Sequence, residues 1–254
     1  MRQPFSAVII TLNAAHQLEA CLHSLGFADE IIVVDSGSSD ATVELAQRFN
    51  ARVIHQPWLG FGKQKQFAVA QAKYDWVLCI DSDERISKQL QTSIELNLRQ
   101  PARQVYKMPR SNKFMGRFLK HGEGYPDWST RLFNRRYANW SDDPVHEKVL
   151  TGEAIAILSG DLLHESGEDI AVYLQKQNRY TSLQAEQMFA RGKRVGAGKL
   201  LFSPIFRFIR FYVFRLGMLD GLPGLVHILI GCFNSFCKYA KLLELHRTTN
   251  KQEK

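Results

Sequence analysis

The first hundred residues alternate short apolar runs with segments of helical periodicity. The apolar runs are rich in β-branched residues and predict buried strands at 7–12, 30–35, 52–55 and 76–80. The intervening segments space their apolar residues as a helix does, at 14–25, 40–49, 63–72 and 87–99. Strands that alternate with helices in this way predict a parallel sheet covered on both faces, an α/β domain of the nucleotide-binding type.

The pattern changes twice after this region. Residues 105–164 combine shorter strand-like runs with aromatic, charged and Gly/Pro-rich loops, and residues 170–190 are helical again. Between Glu186 and Asp220 no acidic residue occurs, whereas seven residues are basic: Arg191, Lys193, Arg194, Lys199, Arg207, Arg210 and Arg215.

A helical wheel drawn from Pro204, taken as a first-turn proline, places three of these arginines on one side and most large apolar residues on the other. Basic, aromatic-rich amphipathic helices are typical of proteins that bind an anionic membrane surface. Residues 221–237 are uncharged but contain Pro and Gly, which favours an interfacial or hairpin-like pair of helices over a clean span. The alternative is a hydrophobic lid that packs on the globular domain.

Composition narrows the classes further. The chain has 254 residues, 45% hydrophobic and 23% charged, which excludes disorder and a disulfide-rich miniprotein. Its four cysteines are scattered, and the amino terminus enters a strand without an apolar signal core, so we expect a cytoplasmic protein with free thiols. The net charge of +8 suits nucleic acid, a membrane or phosphorylated substrates, but the continuous apolar face beside the basic residues disfavours nucleic acid.

Polar residues that could carry chemistry follow three of the predicted strands. They are Thr11, Asn13, Asp35, Asp40, Asp81 and Asp83. Ligands of parallel sheets bind beyond the carboxyl ends of the strands, so these side chains are expected at the binding edge. Clustered carboxylates repel one another unless a cation or hydrogen-bond donors compensate them, and hard oxygen ligands suit Mg²⁺ or Mn²⁺. For Asp40, capping of the following helix is an equal alternative.

Three ordered motifs carry a resemblance to a known family. They are A-V-I-I-T-L-N at 7–13, I-I-V-V-D-S-G-S-S-D-A-T at 31–42 and W-V-L-C-I-D-S-D-E at 76–84. Together they resemble the nucleotide-binding half of the inverting family 2 glycosyltransferases of GT-A fold. Four later segments resemble a narrower subfamily, the bacterial glycosyltransferases that add glucose to the inner-core heptose of lipopolysaccharide. These segments are W-L-G-F-G-K-Q-K-Q-F-A, D-D-P-V-H-E-K-V, L-L-H-E-S and L-D-G-L-P-G-L.

The resemblance implies an organisation and an activity. A GT-A type, Rossmann-like domain with a mostly parallel central sheet would occupy residues 1–190, with a nucleotide-sugar half at about 1–105 and an acceptor half at about 106–190. Residues 191–254 would form a basic amphipathic helical segment that associates with the membrane. The protein would be a metal-dependent inverting glycosyltransferase, peripheral at the cytoplasmic face of the bacterial inner membrane. It would transfer a hexose from a UDP-sugar to a membrane glycolipid.

The resemblance also implies roles for residues on the donor side. Thr11 and Asn13 would lie against the nucleotide, Asp35 would accept from the uracil or the ribose, and Asp40 would support that pocket. Asp83, with Asp81, would hold Mg²⁺ or Mn²⁺ on the diphosphate, where a metal neutralises the charge of the leaving group. After the glycine-rich loop, Lys63, Gln64 and Lys65 are candidates to contact phosphate or sugar, with solvated charges at a helix start as the alternative.

An inverting displacement needs a base that removes the proton of the acceptor hydroxyl. The candidates are Asp142, Asp143 and Glu147. Glu147 is the first choice, because V-H-E belongs to the block that resembles the subfamily, and Asp143 is the second. In the alternative reading, Asp142 and Asp143 shape the turn before Pro144. Further candidates for holding phosphate or acceptor are Arg131, His146 and Arg179.

Two other enzyme classes fit the sequence less well than a glycosyltransferase. A haloacid-dehalogenase-like phosphatase also places D-x-D after an apolar strand, but here the motif follows the fourth strand and continues with Glu84-Arg85. A dinucleotide oxidoreductase would need G-x-G-x-x-G after the first strand, which this chain lacks. A glycosyltransferase for another lipid-linked or cell-surface polysaccharide and a non-enzymatic membrane-binding module stay open.

Overall fold

A computed structural model describes residues 1–143, 147–167 and 169–252, with side chains as far as Thr248. Internal contacts divide the chain into two units. We call Met1–Ser111 with Asp127–Glu165 the sheet unit, and Asn112–Pro126 with Ser166–Lys254 the helical unit. The predicted functional division at residue 190 stays a prediction, since the units are defined by contacts alone.

The sheet unit begins with four parallel strands, β1 (Phe5–Thr11), β2 (Glu30–Asp35), β3 (Arg52–His55) and β4 (Trp76–Asp81). The helices between and after them are α1 (Ala15–Ser24), α2 (Thr42–Arg48), α3 (Phe61–Ala70) and α4 (Lys88–Asn97). The later strands are β5 (Glu84–Ile86), β6 (Val105–Phe114, in this unit as far as Ser111), β8 (Asp127–Asn134), β9 (Ala138–Trp140), β10 (Val149–Thr151), β11 (Ile155–Ile157) and β12 (Leu162–His164), while β7 (Arg117–Phe118) belongs to the helical unit.

The strand order is β3-β2-β1-β4-β8-β6-β12-β5. Strand β8 runs antiparallel to both β4 and β6, so the parallel half is extended by antiparallel strands. Because β1 lies between β2 and β4, the strand order reverses beside it, and the carboxyl ends of β1 and β4 form the crevice where α/β sheets bind ligands. The register places Thr11 level with Asp35 and Ile10 level with Asp81 at this edge.

Helices cover both faces of the parallel strands, which is why these strands are continuous apolar runs. On one face, Ile9 and Val33 pack in a cluster with Leu18 of α1 and Ile94 of α4. On the other face, strand residues such as Val8 pack with Ala68 and Val69 of α3. The predicted strands at 30–35 and 52–55 are confirmed with the bounds expected, and Ser87 caps α4 by accepting the backbone N–H of Leu90.

The helical unit contains α5 (Ile170–Ala190), α6 (Ala197–Phe208), a π-helical segment at Ile209–Phe214, a 3-10 turn at Gly217–Asp220 and α7 (Gly221–Gln252). Helix α7 packs against α5 and, in the antiparallel sense, against α6. The Ser203 and Ser235 hydroxyls are 2.8 Å apart, and Asn234 Nδ2 donates to Gln177 Oε1 at 2.9 Å. Helices α6 and α7 therefore run side by side as a pair. The expectation that Pro and Gly divide residues 221–237 into a pair of helices is wrong, because this stretch lies within the single helix α7.

The predicted start of the amphipathic helix at Pro204 is wrong. Helix α6 begins at Ala197, so Pro204 lies inside it, where proline removes one backbone hydrogen bond. The chain then becomes π-helical, and the Arg215 N–H donates to the Arg210 carbonyl at 2.9 Å. A wheel of 3.6 residues per turn fails across such a segment.

As a result, two of the three arginines on that wheel bind within the unit. Arg207 forms an ion pair with Glu123, and Arg215 Nη2 donates to the Tyr125 carbonyl at 2.8 Å. Arg210 is exposed. Fewer arginines of the predicted basic face are therefore available to contact a membrane than the helical wheel indicates.

Candidate active site

The loops after β1 and β2 are tied together by polar side chains. The Asp35 side chain is buried, and its Oδ2 accepts the N–H groups of Gly37 and Ser38, each at 2.9 Å. Asn13 has a left-handed backbone with φ of 50°, and its Oδ1 accepts the Ser39 N–H at 2.8 Å. These bonds fix a polar turn at the carboxyl edge of the sheet.

Thr11, the last residue of β1, has a hydroxyl that is buried without a hydrogen-bond partner among the described residues. A buried polar atom that forms no bond is costly, and a bound ligand or water usually satisfies it. This hydroxyl is therefore available to a ligand at the edge where β1, β2 and β4 end.

The predicted ligand residues Asp40, Lys63 and Gln64 differ in their surroundings. Asp40 is exposed and accepts the backbone N–H groups of Ala15 and Thr42, at 3.2 and 3.0 Å, so it caps the starts of α1 and α2. The hydroxyl of Thr42 is the main cause that lowers the pKa of Asp40. These contacts match the capping alternative.

Gln64 is fully buried and holds the chain before α3, with Nε2 donating to the Gln56 carbonyl at 3.2 Å and to Ser36 Oγ at 3.1 Å. Lys63, its neighbour on the same helix, is exposed. Gln64 therefore acts on the loops around the edge, while Lys63 is accessible to a ligand.

Lys65 joins two carboxylates that are far apart in the sequence. Its ammonium is 3.0 Å from Asp81 Oδ1 and 2.9 Å from Glu147 Oε1, and it lies 4.8 Å from the centre of the Trp140 ring. The Lys65 side chain is only 6% exposed, so these contacts are shielded from solvent. The acid that ends β4 and the first candidate base are thus held by one cation.

Arg131 supports the same group from β8. Its Nη2 is 2.6 Å from Asp81 Oδ2 and 2.7 Å from Oε1 of the fully buried Glu84. Burial alone would raise the pKa of Asp81, but the charges of Arg131 and Lys65 outweigh it and hold that pKa well below its usual range. Arg131 is therefore bound to carboxylates of the protein, and buried charges paired in this way stay ionised.

Asp83 has a neighbour that the sequence reasoning missed. Its Oδ2 lies 3.1 Å from Nε2 of His164, the last residue of β12. The signal was the L-L-H-E-S segment, which carried part of the family resemblance but had no role assigned to its histidine. A carboxylate oxygen beside an imidazole nitrogen is a donor set that suits a divalent transition ion.

The remaining candidates fall in different places. Glu147 lines a cavity of about 290 Å³ together with Asp81 and Arg131. Asp143 is exposed, and His146 lies outside the described residues. Arg179 is exposed on α5, in the helical unit. The structure therefore brings Asp81, Glu147 and Arg131 together, and it shows Arg179 only within its own unit.

The donor set at Asp83 can be tested against a divalent ion. Within 1–143, 147–167 and 169–248, no group of three or more His, Cys, Asp or Glu residues gathers around a common point. An ion at Asp83 and His164 would thus take further ligands from substrate oxygens and water, as Mg²⁺ and Mn²⁺ commonly do. The residues fit an ion that arrives with a diphosphate.

Comparison with known proteins identifies the class. The model of the glycosyl transferase family 2 matches residues 6–156, and the chain belongs to this family. The lipopolysaccharide core biosynthesis glycosyltransferase LpsC of Rhizobium meliloti is 32% identical over 96% of this chain and 93% of its own length. An uncharacterized glycosyltransferase of Rickettsia bellii is 32% identical over 98% of this chain and 90% of its own length.

The crystal structure of residues 1–349 of S. aureus TarS superposes with a TM-score of 0.50 and 18% identity, covering 97% of this chain and 92% of that one. A likeness at this identity shows the fold alone. The predicted α/β fold of GT-A type, with its mostly parallel central sheet, and the predicted family are confirmed. The chain is a glycosyltransferase, so the phosphatase, the oxidoreductase and the non-enzymatic module are set aside.

Proposed function

We propose that this glycosyltransferase transfers glucose, with inversion, from UDP-glucose to the inner-core heptose of a membrane-anchored lipopolysaccharide. The similarity to LpsC over nearly the whole length of both chains supports the acceptor class. The observation that carries the proposal is the placement of Asp81 and Glu147 on the single ammonium of Lys65. This contact puts the carboxylate of the donor motif and a candidate base in one cavity.

Glu147 is the proposed catalytic base. As the acceptor oxygen attacks the anomeric carbon, the bond from that carbon to the diphosphate breaks, and the hydroxyl proton passes to the Glu147 carboxylate. Lys65 orients this carboxylate through the 2.9 Å contact, and the buried Arg131 fixes Asp81 opposite it. UDP leaves with the bonding electron pair. Asp143 is the second candidate for the base.

The donor nucleotide is proposed to lie along the ends of β1 and β2. The Thr11 hydroxyl, which has no hydrogen-bond partner in the part of the chain that the structure describes, and the carboxylate of Asp35 support contacts with the nucleoside. Asn13 shapes the loop beside them. Lys63, exposed on α3, is proposed to approach the phosphates. Asp40 and Gln64 hold the surrounding loops, Asp40 through α1 and α2 and Gln64 through the segment before α3.

A divalent ion is proposed to bind at Asp83, with His164 as its nitrogen ligand and Asp81 nearby. Asp81 is already compensated by Lys65 and Arg131, so Asp83 and His164 are the more available ligands in this proposal. The imidazole favours Mn²⁺ over Mg²⁺, because Mg²⁺ prefers oxygen ligands. When bound, the ion neutralises the charge that develops on the leaving diphosphate.

Peripheral attachment to the cytoplasmic face of the bacterial inner membrane is proposed for the helical unit. Phe202 and Phe206 of α6 are 57% and 70% exposed, and Phe214 of the π-helical segment is 77% exposed. Exposed basic residues accompany these rings, among them Lys193, Arg194 and Arg210. Apolar rings beside cations suit a surface of anionic lipids.

Helix α7 contributes in a different way. By length and composition, Gly217–Thr248 could cross a membrane, a property that packed helices share. Its Asn234 and Lys241 form hydrogen bonds with residues of α5, including Gln177 and Thr181. These polar contacts favour a packed helix, and the exposed face of α6 carries the proposed membrane contact.

The test of the reaction is Glu147→Gln, assayed with UDP-glucose, Mn²⁺ and heptose-terminated lipopolysaccharide. Removal of a general base lowers turnover by about 10²- to 10⁴-fold, while affinity for UDP, measured by calorimetry, should stay within a factor of two or so. Glu153→Gln is the matched control, since Glu153 is an exposed glutamate six residues further along the chain and is not among the residues that line the cavity.

Two outcomes would change the assignment. If Glu147→Gln retains transfer and Asp143→Asn loses it, the base is Asp143. If the wild-type protein cleaves UDP-glucose but glycosylates no lipopolysaccharide, the acceptor proposed here is wrong, although the family assignment stands.

A further inference from the structure

Trp128, in β8, is an exposed tryptophan on the wall of the cavity that contains Glu147. It is 45% exposed, whereas Trp140 on the same wall is 4% exposed. Trp140 has a structural explanation, because its Nε1–H donates to Cys79 Sγ at 3.3 Å and Lys65 lies over its ring. Among the described residues the Trp128 ring has no side-chain hydrogen bond, so its exposed position calls for another explanation.

The register of the sheet shows what accompanies the Trp128 ring. Strand β8 pairs with β6 so that Trp128 lies level with Pro109 and Thr130 lies level with Lys107. Side chains directly opposite each other and two residues apart share a face of a sheet. An indole ring, a hydroxyl and an ammonium therefore share one face, and Lys107 Nζ is 5.1 Å from the centre of the Trp128 ring.

The cationic side chains around the cavity differ in whether they have an acidic partner. Lys65 is paired with Asp81 and Glu147, and Arg131 is paired with Asp81 and Glu84. Arg110, which also lines the cavity, is paired with Asp127 at 2.6 Å and Glu84 at 3.4 Å.

Two cations differ from these, namely Lys107 beside the Trp128 ring and Lys148 in the wall of the cavity. Among the ion pairs of the described residues, neither the ammonium of Lys107 nor that of the cavity-lining Lys148 has an acidic partner. Lys148 in the cavity wall and Lys107 over the Trp128 ring thus carry positive charge without an acidic partner among the described residues, whereas Lys65, Arg131 and Arg110 are compensated.

We propose that Trp128 is the stacking surface for the acceptor sugar, and that Lys107 and Lys148 select an acceptor with a negative charge near its reacting hydroxyl. This inference rests on the proposed function, because it places the acceptor beside Glu147. The apolar C–H face of a sugar ring removes area from water when it packs on an aromatic ring. Phosphate or carboxylate would meet the two ammonium groups.

The size of the cavity agrees with this occupant. Its volume is about 290 Å³, just under the range of roughly 300–1,000 Å³ for pockets that hold drug-sized ligands. A space of this size admits a group on the scale of a single sugar residue, and the exposed Trp128 edge leaves the rest of an oligosaccharide in solvent.

The experiment compares steady-state kinetics of Trp128→Ala, Trp128→Phe and Trp58→Ala in the full-length protein. Trp58 is the matched control, because it is 49% exposed and does not line the cavity. The donor is UDP-glucose, and the acceptor is deacylated core oligosaccharide that ends in heptose, tested in its phosphorylated form and after removal of phosphate.

Trp128→Ala should raise the KM for the phosphorylated oligosaccharide about tenfold, which corresponds to about 1.4 kcal/mol. The KM for UDP-glucose and the affinity for UDP should not change. Trp128→Phe should restore most of the loss, since it keeps an aromatic face. Lys148→Gln should reduce the preference for the phosphorylated form over the dephosphorylated form by several-fold.

The outcomes separate this inference from the proposed function. Transfer with an unchanged acceptor KM in Trp128→Ala, or an equal effect of Trp58→Ala, would overturn the stacking role while leaving the function intact. A parallel rise in the KM for UDP-glucose would place the donor, not the acceptor, on Trp128. Equal use of both oligosaccharides by the wild type would remove the charge selection. Cleavage of UDP-glucose without binding or transfer to either oligosaccharide would remove both proposals together.

Discussion

The two units differ in where many of their polar and large apolar side chains lie. In the sheet unit, apolar strand residues such as Val33 and Leu78 are fully buried, and the polar residues gather at one edge. In the helical unit, polar side chains bond to one another between helices, as in the pairs Ser203–Ser235 and Asn234–Gln177. Several of its large apolar side chains lie outside, with Phe206 70% exposed and Leu222 64% exposed.

This difference supports the proposal that the sheet unit meets water and that the helical unit meets a membrane surface. Water favours the arrangement of the sheet unit, in which apolar surface is removed from solvent. Apolar side chains on the outside of a helix, with basic residues near them, are what an interfacial helix presents to a membrane surface. Each large apolar side chain moved from water into an apolar surrounding gains about 1.5–3 kcal/mol. In the proposed membrane contact, the exposed rings of α6 would supply binding free energy of this order.

The largest expected effect concerns the chemistry of the sheet unit. Asp83→Ala should lower turnover by at least about a thousandfold, because it removes the carboxylate of the proposed metal ligand pair and with it several kcal/mol of charge stabilisation. Turnover and the Mn²⁺-dependent thermal stabilisation by UDP are the measurements. Membrane binding by the helical unit should be unaffected, which would show that the two units have separable roles.

Two companion variants sharpen this result. His164→Ala should reproduce the loss of Mn²⁺-dependent stabilisation, since its imidazole lies 3.1 Å from Asp83. Glu19→Ala, at an exposed acid on α1, should leave turnover unchanged. Full turnover of Asp83→Ala would remove the metal assignment, and a loss of UDP binding that does not depend on Mn²⁺ would assign Asp83 to the nucleotide itself.

The second expected effect concerns the outside of the helical unit. The double variant Phe202→Ser, Phe206→Ser should weaken binding to vesicles by about a hundredfold, because two exposed rings no longer enter the apolar layer. Co-sedimentation with vesicles that contain anionic phosphatidylglycerol measures this loss. Affinity for UDP should stay the same, because the substitutions lie outside the sheet unit.

Leu96→Ser provides the control in the sheet unit, since Leu96 is 55% exposed on α4. It removes a comparably exposed apolar side chain from a surface that is proposed to face water, and binding to vesicles should not change. If the Phe202 and Phe206 double variant sediments as the wild type does, α6 is a packing element and the contrast between the units has another origin.

The two units also differ in how much of their structure can be predicted from the sequence. A buried parallel strand is a continuous apolar run, which can be recognised from neighbouring residues alone. Glu30–Asp35 could therefore be predicted with its bounds. The polar ends of β1, β2 and β4 could be located for the same reason. The antiparallel additions β8 and β12 could not be placed, because their pairing depends on contacts between distant parts of the chain.

The site shows this limit most clearly. Lys65 and Glu147 are 82 positions apart in the sequence, and Asp83 and His164 are 81 positions apart. A local pattern of apolar and polar residues cannot predict contacts between such distant residues. The helical unit has a different limit. The helical wheel depends on a period of 3.6 residues, and this period is broken by a proline inside α6 and by the π-helical segment after it. The wheel therefore did not predict the surroundings of Arg207, which pairs with Glu123.

The smallest expected effect is on the stability of the sheet unit near its binding edge. Hydrogen bonds, chiefly from Thr42, lower the pKa of Asp40 in the folded state. A carboxyl with a depressed pKa stabilises the fold above its unfolded pKa of about 3.9, and this contribution is lost as the pH falls through the folded value. Asp40→Asn keeps a capping side chain and removes the charge, so it should be slightly less stable than the wild type at neutral pH, and the gap should close in acid.

Thermal unfolding of both proteins from pH 7 to about pH 2.5 measures this gap. A gap that stays constant over the whole range would mean that the charge of Asp40 contributes nothing. Affinity for UDP at pH 7 then decides between the two roles of Asp40. An affinity that is unchanged in Asp40→Asn assigns the residue to capping α1 and α2, as its contacts with Ala15 and Thr42 suggest. A loss of affinity larger than the loss of stability would place Asp40 in contact with the nucleotide.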